Sequence, residues 1–474
     1  MLNNLIFFIN TLLINFCLGF YLISALQWYS YKINRVLFHF AKPLWHIYFI
    51  LIPLIAFWFL GKYFLIFAIF NLVALYLWYK KLDKKLVFTA KIKKFFAILS
   101  FLSIVFGILS LYNLYNLSPL ALFFSLIILS AYEKYRNNLF YQQAKNKIQN
   151  MKDLKIILIT ASFGKTSIKN FLYELIKEDY KSYKTPRSVN TLMGIIQDIN
   201  DNVQADTQIY IAEAGAREKG DILQITELLN PHICIIGEIG NAHLEYFKNI
   251  ENTRNTKLEA LNSNRLQKAF LHSSTLKEDS ESQIIYDKKL LQSSQSLEGI
   301  EFELLLNDSK QHFKSPLLGI FNAQNLAACI QCALYLNINL EKIQQRISQL
   351  KAVEHRLQII SKEPKFIIDD GFNGNFQGMS QSYRLCKNYK GRKVLVTPGI
   401  LEVSEEENQK LADIINECFD FVIITSQSNT NVLDRHIVLE KIIIKDKTEL
   451  VSVLSKYTKN GDLILFSNDA PSFL

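Results

Sequence analysis

The chain has 474 residues, a formal net charge of +10 and a hydrophobic share of 50%. At about 100 to 200 residues per domain, that length holds about three domains, so burying a core is no obstacle. Much of the positive balance sits in short clusters between apolar stretches, which is weak evidence for nucleic acid, and no nucleic-acid partner is expected.

The first third is apolar. No charged residue occurs from Met1 to Tyr31, and five stretches approach the roughly 20 residues that a bilayer-spanning helix needs: Leu5 to Leu26, Pro43 to Leu60, Tyr63 to Tyr79, Phe95 to Tyr112 and Leu117 to Tyr132. Asn113, Asn116, Ser118 and Pro119 supply a turn between the last two. Lys32, Arg35 and Lys42 follow the first stretch, Lys62 alone the second, and a lysine-rich run from Lys80 to Lys94 the third. Basic loops stay in the cytoplasm. The alternation therefore predicts a multi-pass region over 1–133 in the inner (cytoplasmic) membrane, in contact with membrane lipid, with an outside N-terminus and a catalytic part in the cytoplasm. A cleaved signal peptide lacks its basic start and cleavage site here, and a buried soluble helical bundle is the other reading of these residues.

A polar, basic helix is expected at 134–152. Beyond it strand-like and helical runs alternate: "KIILIT" then "SIKNFLYELIKE", "QIYIAEAG" then "DILQITELLN", "HICIIGEIG" then "NTRNTKLEAL". That order predicts a parallel sheet flanked by helices over 153–351. Leu276 to Ser315 reads as an antiparallel edge or insertion. "KFIIDD", "KVLVTPG", "FVIITSQ" and "GDLILFSND" predict a smaller Rossmann-like domain over 352–474. The fold class is thus an N-terminal α-helical membrane region followed by α/β, a P-loop parallel-sheet ATPase domain and a Rossmann-like C-terminal domain. Cys329 and Cys332 form a CxxC inside an apolar helical pattern, which favours core packing over zinc or redox chemistry.

"LKIILITASFGKTSIKNFL", residues 154 to 172, carries the chemistry. A strand-to-helix turn aims backbone N–H groups and the positive helix end at one point, which suits phosphate. Ser162, Phe163, Gly164, Lys165, Thr166 and Ser167 would line it, Lys165 reaching terminal phosphates and Thr166 offering its hydroxyl to Mg²⁺. The P-loop spacing GxxxxGK[ST] is not met, since Ile159 stands at its first glycine; a shorter Gly-x-x-Gly-Lys-Thr form has Ala161 in place of the first glycine. A bland strand-to-helix turn is the alternative. Glu213 ends "QIYIAEAG" and His243 follows "HICIIGEIGNA", both at the strand ends where such sheets bind ligands.

The order "TASFGKTS", "KTPRSVNTLMG", "EAGAREKGDI", "GNAHLEYF", "NTRNTKLEA", "GIFNAQNLAA", "EHRLQII" and "IIDDGFNGNFQGM" resembles the Mur ligases of peptidoglycan precursor synthesis. It is most similar to the member that adds D-alanyl-D-alanine to UDP-N-acetylmuramoyl-tripeptide. The resemblance implies an ATP-dependent peptide ligase working through an acyl phosphate, with ATP and Mg²⁺ as cofactors. It implies that Thr166, Glu213, His243 and Lys257 serve the metal, Lys257 as a carbamate, and that Lys165, Lys257 and His243 are catalytic. Asn322, Asn325, Arg356 and Asp370 would contact nucleotide; Asn190, Thr191, Asn373 and Asn375 would face the substrates. The implied partners are the UDP-sugar tripeptide, D-alanyl-D-alanine and neighbouring membrane enzymes of cell-wall synthesis. The apolar region stands where such a ligase has a UDP-sugar-binding domain, which leaves open another amino acid, a lipid-linked substrate or a membrane-anchored P-loop ATPase switch.

Overall fold

The computed structural model describes residues 2–29, 31, 36, 44–82, 85–187, 189–240, 247–372, 374–400, 405–425, 430–444 and 446–468. His243 and Asn373 lie outside them. The chain divides into two compact units, Met1–Leu139 and Phe140–Leu474.

The first unit is helical: α1 (Leu2–Trp28), α2 (Ile52–Leu60), α3 (Phe64–Lys80), α4 (Ala90–Leu109) and the first part of α5 (Leu120–Asn150). Among the described residues four helical runs, not five, are long and apolar enough to cross a membrane by length and composition alone: Asn3–Trp28, Leu44–Lys80, Ala90–Tyr112 and Tyr115–Asn150. The second and third expected stretches merge because helical turns continue through Gly61–Tyr63 as a short 3₁₀ segment. The helix expected at 134–152 is the later part of α5. Tyr21, Phe57, Phe64, Phe95 and Leu99 form the centre of this unit. Some polar groups inside it pair with one another: Thr11 and Ser118 hydroxyls meet at 2.9 Å, and the Asn15 amide donates to the carbonyls of Thr11 and Ser118.

The second unit holds three sheets. The first has the order β2-β3-β1-β4-β5-β6, all parallel, from β1 (Lys155–Thr160), β2 (Ser182–Lys184), β3 (Ile209–Glu213), β4 (Ile233–Ile236), β5 (Lys268–Leu271) and β6 (Gln283–Ile285). Parallel strands are covered on both faces and so read as unbroken apolar runs. Ile157, Ile159, Ile211, Ile233 and Ile235 face α6 (Lys165–Ile176) and α10 (Phe321–Tyr335). Ile156, Leu158, Tyr210, Ala212 and Cys234 face the opposite layer with α7 (Leu192–Asn202) and α8 (Asp221–Leu229). The helix α9 (Ile250–Leu258) follows β4, and the expected insertion is a three-stranded antiparallel sheet, β7 (Leu290–Ser296), β8 (Gly299–Leu306) and β9 (Ser309–Ser315).

After α11 (Leu340–Ser348) the third sheet runs β10-β11-β15-β12-β13-β14, from β10 (Gln358–Ser361), β11 (Phe366–Asp370), β12 (Lys393–Thr397), β13 (Phe421–Ile424), β14 (Glu440–Ile443) and β15 (Leu463–Ser467). Only β10 is antiparallel. The helices α12 (Phe376–Lys387), α13 (Glu405–Cys418), α14 (Thr430–His436) and α15 (Leu450–Tyr457) belong to this part. The strands without an expectation, β2, β5, β6, β10 and β14, are short, and four of them lie at sheet edges.

Candidate active site

β1 ends at Thr160 and the chain turns through Ala161–Gly164 into α6. Gly164 caps that helix with φ 75, a left-handed conformation, and a Cβ there would lie 2.5 Å from Asn325 Oδ1. Both facts require glycine. The loop after β4 holds the turn from the other side: Ser162 N–H donates to the Glu238 carbonyl at 2.8 Å and its hydroxyl to the Gly240 carbonyl at 3.2 Å. Phe163 presses on Gly240, where an added Cβ would meet the ring at 2.5 Å. Ala161 keeps a negative φ, so the departure from glycine costs no backbone strain here. Lys165 curls back over its own turn, donating to the carbonyls of Ala161 at 2.8 Å and Ser162 at 3.2 Å. Ser167 is buried behind it.

Glu213 ends the neighbouring strand, in register with Ile159. It is 1% exposed and its carboxylate collects three side chains. Thr166 Oγ1 donates to Oε2 at 3.0 Å, Asn190 Nδ2 donates to Oε1 at 3.1 Å, and Lys169 Nζ pairs with Oε2 at 3.1 Å. The sequence reading did not single out Lys169. Its signal is positional: with Ile168, Leu172 and Ile176 it lies on the apolar face of α6, where a lysine is expected to need a partner.

Lys257 lies in the last turn of α9 at 3% exposure, and its ammonium makes no hydrogen bond or ion pair among the described residues. Burial lowers its ammonium to about 7; Lys165 pushes the same way, against Asp221, Glu213 and Glu259. Burial also lowers Lys165, with Glu213 opposing and Arg356 assisting. Arg356, from the segment before β10, is lowered by burial against the fields of Glu213 and Asp370. Asp370 accepts from Leu357 N–H at 3.1 Å and from the Ser382 hydroxyl at 2.8 Å. Asn325 donates to Asn322 Oδ1 at 3.0 Å, and Asn322 donates to the Leu318 carbonyl at 2.8 Å. Gly319, with φ 88, lies just beyond Leu318; a Cβ on it would strike Phe321 at 2.6 Å and Leu357 at 2.8 Å.

The structure therefore gathers Lys165, Thr166, Asn190, Glu213, Lys257 and Arg356, with Asn325 over the turn and Asp370 beside Arg356. It spends Thr191 and Asn375 on helix caps, accepting from Gly194 N–H at 3.3 Å and Gly378 N–H at 2.8 Å. The CxxC cysteines are buried and free, Cys329 donating its thiol hydrogen to the Ile168 carbonyl, and burial pushes both thiols well up.

A family model for the Mur ligase middle domain matches residues 159–333, the span that builds the β1–α6 turn, Glu213, Lys257 and both asparagines of α10. That span is a Mur ligase middle domain. Its relatives include the UDP-N-acetylmuramoyl-tripeptide--D-alanyl-D-alanine ligase of Bacillus subtilis, 26% identical over 69% of this chain and 75% of the relative. The ligase of the same name from Borreliella burgdorferi is 25% identical over 61% of this chain and 66% of its own length. Among solved structures, MurF from Thermotoga maritima in complex with ADP superposes with a TM-score of 0.62 at 22% identity, covering 70% of this chain and 80% of that chain. MurF from Acinetobacter baumannii gives 0.61 at 21% identity over 70% and 78%. At these identities the superpositions establish the fold.

The same relatives correct one expectation. An inner-membrane, multi-pass location was read from the apolar stretches and their basic loops, but the relatives are soluble cytoplasmic ligases. The four long helices qualify by length and composition only. Tyr21, Phe57 and Leu99 are buried by their own unit, while Phe59, Phe70 and Phe101 stay exposed on it.

Proposed function

We propose that this Mur ligase joins D-alanyl-D-alanine to UDP-N-acetylmuramoyl-tripeptide at the expense of ATP. The observation that carries the reading is the convergence of Thr166, Asn190 and Lys169 on the buried Glu213 carboxylate, one strand away from the phosphate turn. The relatives' names supply the substrates.

The donor chemistry fits Mg²⁺. A carboxylate and a hydroxyl are hard oxygen ligands of the kind that ion prefers, alongside its own waters and phosphate oxygens. An ion held by Glu213 and Thr166 would supply charge neutralisation to the phosphates. Lys257 fits the same site as a carbamate: with its ammonium lowered to about 7, about half is free amine at pH 7. The amine nitrogen bonds to CO₂, its proton leaves to water, and a buried cation becomes an anionic oxygen donor.

The chain's residues then have distinct tasks. Gly164 and the first turn of α6 present N–H groups to phosphate. Lys165 leaves the Ala161 and Ser162 carbonyls for the terminal phosphate, and Arg356 adds a second positive charge from the C-terminal part. The substrate carboxylate takes the γ-phosphoryl group from ATP, whose β–γ bond breaks to release ADP; the dipeptide amine bonds to the activated carbonyl, loses a proton, and phosphate departs. Such a transfer depends on positioning and charge neutralisation, which is what this cluster of cations and one carboxylate offers.

Phosphate release by the full-length protein, measured with ATP, Mg²⁺ and UDP-N-acetylmuramoyl-tripeptide, tests the reading. Release that depends on D-alanyl-D-alanine and yields the pentapeptide product is expected. Release indifferent to the dipeptide would overturn it.

A further inference from the structure

Lys169 has a second partner besides Glu213. Its ammonium also donates to the Arg187 carbonyl, in the connection between β2 and α7 that carries Asn190. Arg187 holds φ 44, a left-handed conformation in which a non-glycine residue stays only where its surroundings fix it. Asn190 closes the loop from the other end. It donates to Glu213 Oε1 at 3.1 Å and its carbonyl accepts from Gly215 N–H at 2.8 Å. Gly215 has no room for a side chain, since a Cβ would meet Asn190 at 2.9 Å. One carboxylate thus ties α6 to the loop expected to face the acceptor substrate.

The charge balance is equally specific. Lys169 and Glu213 are both 1% exposed, and a buried carboxylate stripped of its cation is strongly disfavoured. Lys165 is committed to its own turn. Lys169 is therefore the cation in contact with Glu213 when no ligand is bound.

We propose that Lys169 is a positioning residue, a resident counter-cation that keeps Glu213 aimed into the site before a metal arrives and ties it, through the Arg187 carbonyl, to the acceptor loop. The metal clause rests on the ligase reading; the tie to the loop does not.

The full-length protein is compared with Lys169→Met and Lys169→Arg, with Lys169→Gln standing in if the methionine variant does not fold. Trypsin cleavage after the exposed Arg187 is followed by mass spectrometry without nucleotide. Loss of the tether is expected to speed that cut by about fivefold or more, because local opening controls access, and Lys169→Arg to restore the slow rate. An unchanged cut in a folded neutral variant overturns the tether. Calorimetry of ADP binding against Mg²⁺ concentration gives the second readout. Removing a positive charge beside Glu213 is expected to lower the half-saturating Mg²⁺ by about threefold to tenfold, since like charges at this range repel strongly in a buried site, and an unchanged or raised value overturns the counter-cation. Failure of the unmodified protein to bind ADP would instead sink the ligase reading, with the trypsin comparison still deciding the tether.

Discussion

Two sheets of this protein each end a parallel strand in a buried acid, and the two acids are held differently. Glu213 closes β3 with an ammonium, a hydroxyl and a carboxamide, all side-chain donors. Asp370 closes β11 with a backbone N–H and a hydroxyl, while Arg356 acts on it as a nearby charge. Side chains can rotate away and hand a carboxylate to a new ligand; a backbone N–H cannot. The first arrangement suits an acid that exchanges partners during a cycle, the second an acid that fixes a turn and orients a neighbouring guanidinium.

Breaking the first sheet's cluster should cost most. Lys165→Ala removes the charge meant for the terminal phosphate, and turnover should fall by about 10³-fold or more, with thermal unfolding little changed because that lysine bonds only to its own turn; a residual rate near the parent's would remove Lys165 from the chemistry. Glu213→Gln and Asp370→Asn set the two acids side by side. The first should reduce turnover by about 10²-fold and destabilise by about 3 kcal/mol, because it strands the buried Lys169, whereas the second should destabilise by about 1 to 2 kcal/mol, having lost one charge-assisted bond. Equal losses in denaturant titrations would erase the distinction.

Lys257 sharpens it by pH. Its ammonium lies at about 7 in the folded protein and near 10.4 in an unfolded chain. Between those values the unfolded state holds the extra proton, so stability rises with pH across that window and the full burial penalty stands below it. In CO₂-depleted buffer Lys257→Met should therefore be more stable than the parent at pH 6, by on the order of 4 kcal/mol at most, with the gap closing toward pH 10. A gap independent of pH would show that the amine is not depressed. The smallest effect belongs to the second sheet: Ser382→Ala should cost about 1 kcal/mol and leave the Mg²⁺ requirement unchanged.

Much of the second unit was legible because its central strands are apolar on both faces and end at glycine-rich turns or acids. "KIILIT", "QIYIAEAG" and "HICIIGEIG" became β1, β3 and β4. The short edge strands were not legible: Glu440–Ile443 and Ser182–Lys184 bury too little for periodicity to register. Lys169 escaped because a lysine within an amphipathic helix reads as solvated unless its face is checked residue by residue. The apolar helices misled about location for a related reason. Composition reports that a side chain avoids water and says nothing of what shields it.

Gly319 joins two of these observations. It sits where Leu318, which receives Asn322, passes beneath Leu357, the neighbour of Arg356. Asn325 above the phosphate turn and Arg356 beside Glu213 thus hang from opposite arms of one pivot that admits no side chain. Any swing of the C-terminal sheet about that residue would move both arms at once, so the place of Asn325 over the turn is geared to the place of Arg356 beside Glu213.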